Sequence, residues 1–208
     1  MESRTETLWA RQNQHEGDRL RLFTTIAGAI EATRVLYPGS FVDVAPSFVF
    51  PSVTYVDTDR RAEQFFADAD GVNGIIADEA IDDRPRSFTF LRRDYRDDLG
   101  LTEQSFDLLI SLYAGFISEH CTHYLRVGGF LLVNSSHGDA AMASIDPRYQ
   151  LIAVVKSGNN RYRVDRGNLD TYLIPKKPQT ITAELLHELG RGIAYTKAPF
   201  AYLFRRVG

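Results

Sequence analysis

Thr33-Arg34-Val35-Leu36-Tyr37-Pro38-Gly39-Ser40-Phe41-Val42-Asp43, answered ten residues later by Val53-Thr54-Tyr55-Val56-Asp57-Thr58-Asp59, decides the fold. Two β-type runs flank a turn at Gly39, and the second ends on a carboxylate. This is the opening of an α/β sheet of the nucleotide-binding kind, where an acid at the second strand tip holds a ribose diol. The turn between them, Pro38 to Asp43, is poor in glycine.

Outward from this stretch, strands and helices alternate. The first 33 residues read as helix, broken near Gly17-Asp18, and Pro46 and Pro51 limit residues 43–50 to two helical turns. Asp59 is a helix N-cap candidate, and a second helix is expected over Val72 to Ala80. Ser87 to Leu91 reads as strand three, and Phe106 to Ser111 as strand four, apolar as expected when both sheet faces are covered. A helix over Ser118 to Leu125 leads to Gly128-Gly129 and strand five, Phe130 to Asn134; Tyr149 to Val155 is strand six. Arg161 to Val164 and Thr171 to Ile174 read as a hairpin or a single antiparallel strand. Ile181 to Leu189 is a helix stopped by Gly190, and Phe200 to Arg206 a strand-like tail. Strand seven is either Thr171 to Ile174 or Ala201 to Arg206. The alternation implies right-handed crossovers and a mainly parallel sheet with ligands at the strands' carboxyl ends.

The totals set outer bounds. A chain of 208 residues fits a single domain, 1–208, with residues 1–33 as an N-terminal helical segment and 180–208 as a C-terminal helix and tail. A net charge of −3 speaks against a nucleic-acid partner. The lone Cys121 rules out an internal disulfide and suits a reducing compartment. The polar start, Met1 to Gly17, is unlike a signal peptide, and no apolar run approaches the roughly 20 residues that span a bilayer. A cytoplasmic protein without membrane contact is expected.

In order and spacing, the segments from Thr33 to Val155 resemble class I S-adenosylmethionine-dependent methyltransferases. Val35 to Gly39 stands where that family runs its first strand into a glycine-rich turn. Tyr55 to Asp59 matches the second strand, whose acid holds the ribose hydroxyls. Leu91-Arg92-Arg93-Asp94-Tyr95 matches the segment whose acid meets the adenine amine, and Ser105 to Ser111 the fourth-strand block. Leu125 to Val133 resembles the turn into strand five. The resemblance implies a Rossmann-like, mostly parallel seven-stranded sheet with helices on both faces and an antiparallel strand near the C-terminus. It departs in the first turn. Tyr37 occupies the place of the family's acid, and Phe41 and Asp43 stand where glycines let the backbone approach the methionine moiety. Asp43 either substitutes for that acid or caps the short following helix.

The cofactor-binding residues this implies are Gly39, Asp57, Asp59, Asp94, Tyr95 and Ser111. Each has a plainer reading. Asp59 caps a helix, Asp57 is a solvated loop residue, and Asp94 joins a surface network with Arg92, Arg93, Arg96 and Asp97. Tyr113 and His137 are the candidates on the acceptor side. His137 has a pKa suited to a general base but also falls in a capped helix start with Ser136 or Asp139 as cap. His120 and His123 share a helix face without a third ligand at defined spacing, so no metal site is expected.

The function expected is S-adenosylmethionine-dependent methyl transfer to a small molecule, with catalysis mostly by proximity. The alternative is a non-catalytic relative that keeps the sheet and serves as a binding module. A nicotinamide enzyme would need a glycine-rich helix start that Gly39 alone does not supply.

Overall fold

The structure is a computed structural model describing residues 3–15 and 17–208. Residues 1, 2 and 16, part of the expected N-terminal helical stretch, lie outside the described residues. The strands are β1 (Arg34–Pro38), β2 (Ser52–Val56), β3 (Ser87–Leu91), β4 (Phe106–Ser111), β5 (Leu125–Val133), β6 (Tyr149–Gly158), β7 (Arg161–Asp165) and β8 (Ala201–Arg206). They form one sheet in the order β3-β2-β1-β4-β5-β8-β6-β7. β1 to β5 pair in parallel, and β8 is antiparallel to both neighbours, β5 and β6.

Alternation along β1 shows how the layers form. Val35 and Tyr37 enter one apolar cluster, and Leu36 enters the other. The first cluster lies under α1 (Arg4–Gln12), α2 (Asp18–Ala27), α3 (Arg60–Ala67) and α4 (Ala69–Glu79), through Trp9, Phe23, Phe65 and Ile75. The second lies under α5 (Ile117–Cys121), α6 (Asp139–Ile145) and α7 (Ala183–Leu189), through Ile117, Ala140 and Leu186. The aromatic content concentrates in the first layer: Phe66 stacks on Tyr55 at 4.7 Å and on Phe90 at 4.8 Å between ring centroids.

This is the mixed α/β sheet expected, with one open alternative decided and three adjustments. The sheet has eight strands, not seven, because Arg161–Asp165 adds an outer strand to β6. The antiparallel strand near the C-terminus is Ala201–Arg206; Leu169–Tyr172 forms a 3-10 turn instead. The helix expected over Ser118 to Leu125 ends at Cys121, continuing as a 3-10 turn over Thr122–Tyr124. β5 then starts at Leu125, so Gly128 and Gly129 lie inside the strand. They are absorbed where pairing shifts from Phe106–Leu125 to Leu108–Phe130, a bulge that also lets Arg126 reach Asp107 at 2.6 Å. No helix among the described residues is long and apolar enough to cross a membrane.

Candidate functional site

At the carboxyl end of β1 the chain turns at Gly39, whose N–H donates to Val56 O at 2.8 Å. Its φ of +66° is the left-handed region, and a Cβ there would stand 2.7 Å from the Ala114 Cβ. Glycine is required at this position because the loop after β4 closes directly over it. Two residues on, Phe41 also takes a positive φ, +48°. What holds it there is Asp57: the Phe41 N–H donates to Asp57 Oδ2 at 2.7 Å, while Oδ1 accepts from the Asp59 N–H at 2.8 Å.

Gly39 and Asp57 line a cleft of about 200 Å³ together with Thr58, Arg93, Asp94, Tyr95 and Arg96. A wider depression of about 470 Å³ continues from it past Arg92 and Asp97, sharing Thr58, Arg93 and Asp94. Four of the six residues expected to bind cofactor therefore meet at one place: Gly39, Asp57, Asp94 and Tyr95. Neither Tyr37 nor Phe41 lines it. Asp94 is gripped by Arg96, whose Nε lies 2.9 Å from Oδ1 and whose Nη2 lies 2.5 Å from Oδ2. The guanidinium holds the Asp94 carboxyl down at a pKa of about 2. The Tyr95 hydroxyl donates to Gly115 O at 3.0 Å, tying the β3 end to the loop after β4, and burial raises its pKa.

The other two do not reach the cleft. Asp59 is the N-cap of α3: Oδ1 accepts from the Arg61 N–H at 2.7 Å, and the carboxylate pairs with the Arg61 side chain, which lowers its pKa. Ser111 is fully buried, and its hydroxyl donates to Asp139. Asp139 is also fully buried. It accepts from the Ser118 N–H at 3.1 Å and the Ser118 hydroxyl at 2.5 Å, joining the ends of β4, α5 and α6 in one knot. Burial raises its pKa in spite of these bonds. The cap of α6 is Gly138, not Ser136 or Asp139.

Asp43 takes neither role foreseen for it. The cap of the 3-10 turn Ala45–Phe48 is Val44, and Asp43 is 1% exposed. Its Oδ2 accepts from Arg19 Nε at 2.8 Å and from the Tyr37 hydroxyl at 3.0 Å. Burial works against the Arg19 charge, but Asp43 outweighs it and the guanidinium is held above its ordinary pKa. The first turn is thus tied to α2 by a buried ion pair.

Beyond the cleft, the loops after β4 and β5 touch. Asn134, 5% exposed, accepts from the Tyr113 N–H at 3.3 Å and from the Ser136 hydroxyl at 2.7 Å, and Ser136 Oγ lies 2.8 Å from His137 Nδ1. Tyr113 is 58% exposed, with φ at +63°. A Cβ on Gly115 would lie 3.4 Å from the His137 Cβ, so the two candidates stand on adjoining loops. Among the described residues no group of three or more His, Cys, Asp or Glu is placed to hold a metal ion. His120 Nε2 is 3.9 Å from Glu119, and the His123 ring packs on Tyr124 at 3.8 Å.

From the sequence, Arg93 and Arg96 stand beside Asp94 only as a surface network and Asp139 only as a helix cap, and Arg19 is not singled out. Arg96 carried a signal, since an arginine two residues after an aspartate readily folds back on it; Arg19 and Asp43, 24 residues apart, carried none.

A scan against protein-family models found no match, and neither did a search of curated proteins. Solved structures do match. A methyltransferase from Geobacter sulfurreducens superposes with a TM-score of 0.51 at 12% identity, over 78% of this chain and 88% of that one. The fold is that of class I methyltransferases. An O-methyltransferase from Bacillus cereus in complex with SAH gives 0.46 at 12% identity, over 72% of this chain and 78% of that one. An rRNA methylase from Streptococcus thermophilus gives 0.46 at 10% identity, over 90% and 95%.

Proposed function

We propose that the chain binds S-adenosylmethionine across the tips of β1, β2 and β3 and transfers its methyl group to a small molecule. The observation that carries this reading is the meeting of Gly39, Asp57, Asp94 and Tyr95 around one open cleft. The residues fit the adenosine end. Asp57 uses one lone pair of each oxygen on a backbone amide, leaving the others for two vicinal hydroxyls. Asp94 faces the same cleft and would meet the adenine amine beside the Arg96 guanidinium. When bound, the cofactor supplies an electrophilic methyl group on sulfur. The chain's own part is alignment: Asp57 and Asp94 anchor one end, and Tyr113 and His137 on the loops after β4 and β5 orient the acceptor.

A second reading, a sheet retained for binding without catalysis, is favoured by one specific observation. The acids that line the cleft are each already bonded within the protein: Asp57 to the Phe41 amide and Asp94 to Arg96. Cofactor binding must then share or displace these bonds.

Equilibrium dialysis with radiolabelled S-adenosylmethionine separates the two. Saturable binding that Asp57→Ala reduces at least tenfold supports the methyltransferase reading. No binding at millimolar ligand leaves the scaffold reading alone.

A further inference from the structure

Residues 156–206 hold ten Lys and Arg against four Asp and Glu, in a chain whose net charge is −3. The fold gathers part of this excess on β7, the outermost strand, which is bonded only to β6. Tyr162 and Val164 pack on the core beneath α2, whereas Arg161 and Arg163 are exposed. Lys156 stands across from Arg163 on β6, and Arg166 follows the strand. Two depressions of about 450 and 420 Å³ adjoin at Arg163, the first also lined by Lys156 and Arg166, the second by Asn159 and Arg161. Asp165 is the acid in this groove, and it is bridged to Lys156. Arg161 and Arg163 make no ion pair among the described residues.

We propose that this groove binds single-stranded nucleic acid through its phosphates. Arg161 and Arg163 point the same way two residues apart, about 6.6 Å along a strand rising about 3.3 Å per residue. That spacing is close to the distance between successive phosphates of an extended single strand. The outer edge of β7 adds backbone N–H groups that no strand among the described residues uses. Cations on an edge strand also deter sheet-to-sheet pairing. That role needs neither a groove nor a second strand contributing Lys156. A lipid surface would be met by a flat face with apolar side chains to insert, and this groove offers only Val164. The net charge of the chain hides the feature, because acids elsewhere cancel it in the sum. The proposal does not depend on methyl transfer and is tested without cofactor.

The test is fluorescence anisotropy with a labelled twelve-nucleotide oligouridylate over a salt series. Arg161, Arg163 and Arg166, with Lys156 tied to Asp165, predict a log–log slope of about −2. Arg161→Glu/Arg163→Glu, both exposed, should weaken binding at least tenfold and roughly halve the slope, with an unchanged melting temperature. Arg4→Glu/Arg11→Glu, the same charge change on α1, should leave most binding intact. Absence of binding at low salt, equal loss in both double variants, or binding to phosphatidylserine vesicles without binding to the oligonucleotide overturns the proposal.

Discussion

The amide of Phe41 and the carboxylate of Asp57 lie 2.7 Å apart, and this bond joins the turn after β1 to the tip of β2. It ties a left-handed residue, Phe41 at φ +48°, to the acid that lines the cleft. Asp57→Ala removes the acceptor for two amides, Phe41 and Asp59. Amide exchange at Phe41 should speed up at least tenfold, with about 1–3 kcal/mol of stability lost. An unchanged exchange rate would show that the turn keeps its shape without Asp57.

Gly39 and Ala114 form a second contact across the same site. Gly39→Ala meets both a positive φ and the Ala114 Cβ at 2.7 Å, so it should lower stability by more than about 1 kcal/mol. Ala114→Gly should relieve the steric part when added, leaving the backbone part. Urea melts of the two single variants and the double variant read the coupling, and strict additivity would sink the contact.

Arg19 and Asp43 are a buried pair, with side chains 12% and 1% exposed. Arg19→Met leaves Asp43 uncompensated and should cost about 3–5 kcal/mol. Arg19→Met/Asp43→Leu should recover much of that loss. A double variant as unstable as the single one would mean that the pair does more than neutralise itself.

Arg96 sets the charge of Asp94. With its folded pKa lowered to about 2, Asp94 contributes its stability above the unfolded value of 3.8 and loses it as pH falls from 3.8 through about 2. The pair is near the surface, so this contribution is under about 1 kcal/mol. Carboxyl carbon NMR should place the Asp94 midpoint near 2, and Arg96→Ala should move it up toward 3.8. A midpoint that ignores the substitution would mean that Arg96 does not hold the carboxylate.

Much of this architecture is visible in the sequence because each signal is local. The apolar run Phe106–Ser111 needs two covered faces, and Asp59 caps the helix that follows it. The strand-tip acid Asp57 and the Asp94-Tyr95 pair were legible from their place at strand ends, which the sheet then brings together. Ser111 lies apart from the four that line the cleft because a polar residue at a strand tip can equally turn inward, as it does toward Asp139. Long-range pairs left no trace: Arg19 on α2 and Asp43 after β1 are 24 residues apart, and the β7 groove arises from residues whose common face exists only once β6 and β7 pair.

The central claim is that an adenosine moiety lies over Gly39, Asp57, Asp94 and Tyr95. Amide NMR spectra recorded while S-adenosylhomocysteine is added test it directly. Saturable shifts concentrated at those four residues and at Thr58 are the predicted result. Unmoved spectra at millimolar ligand, or shifts centred on the separate groove between Trp9 and Ile75, would contradict it.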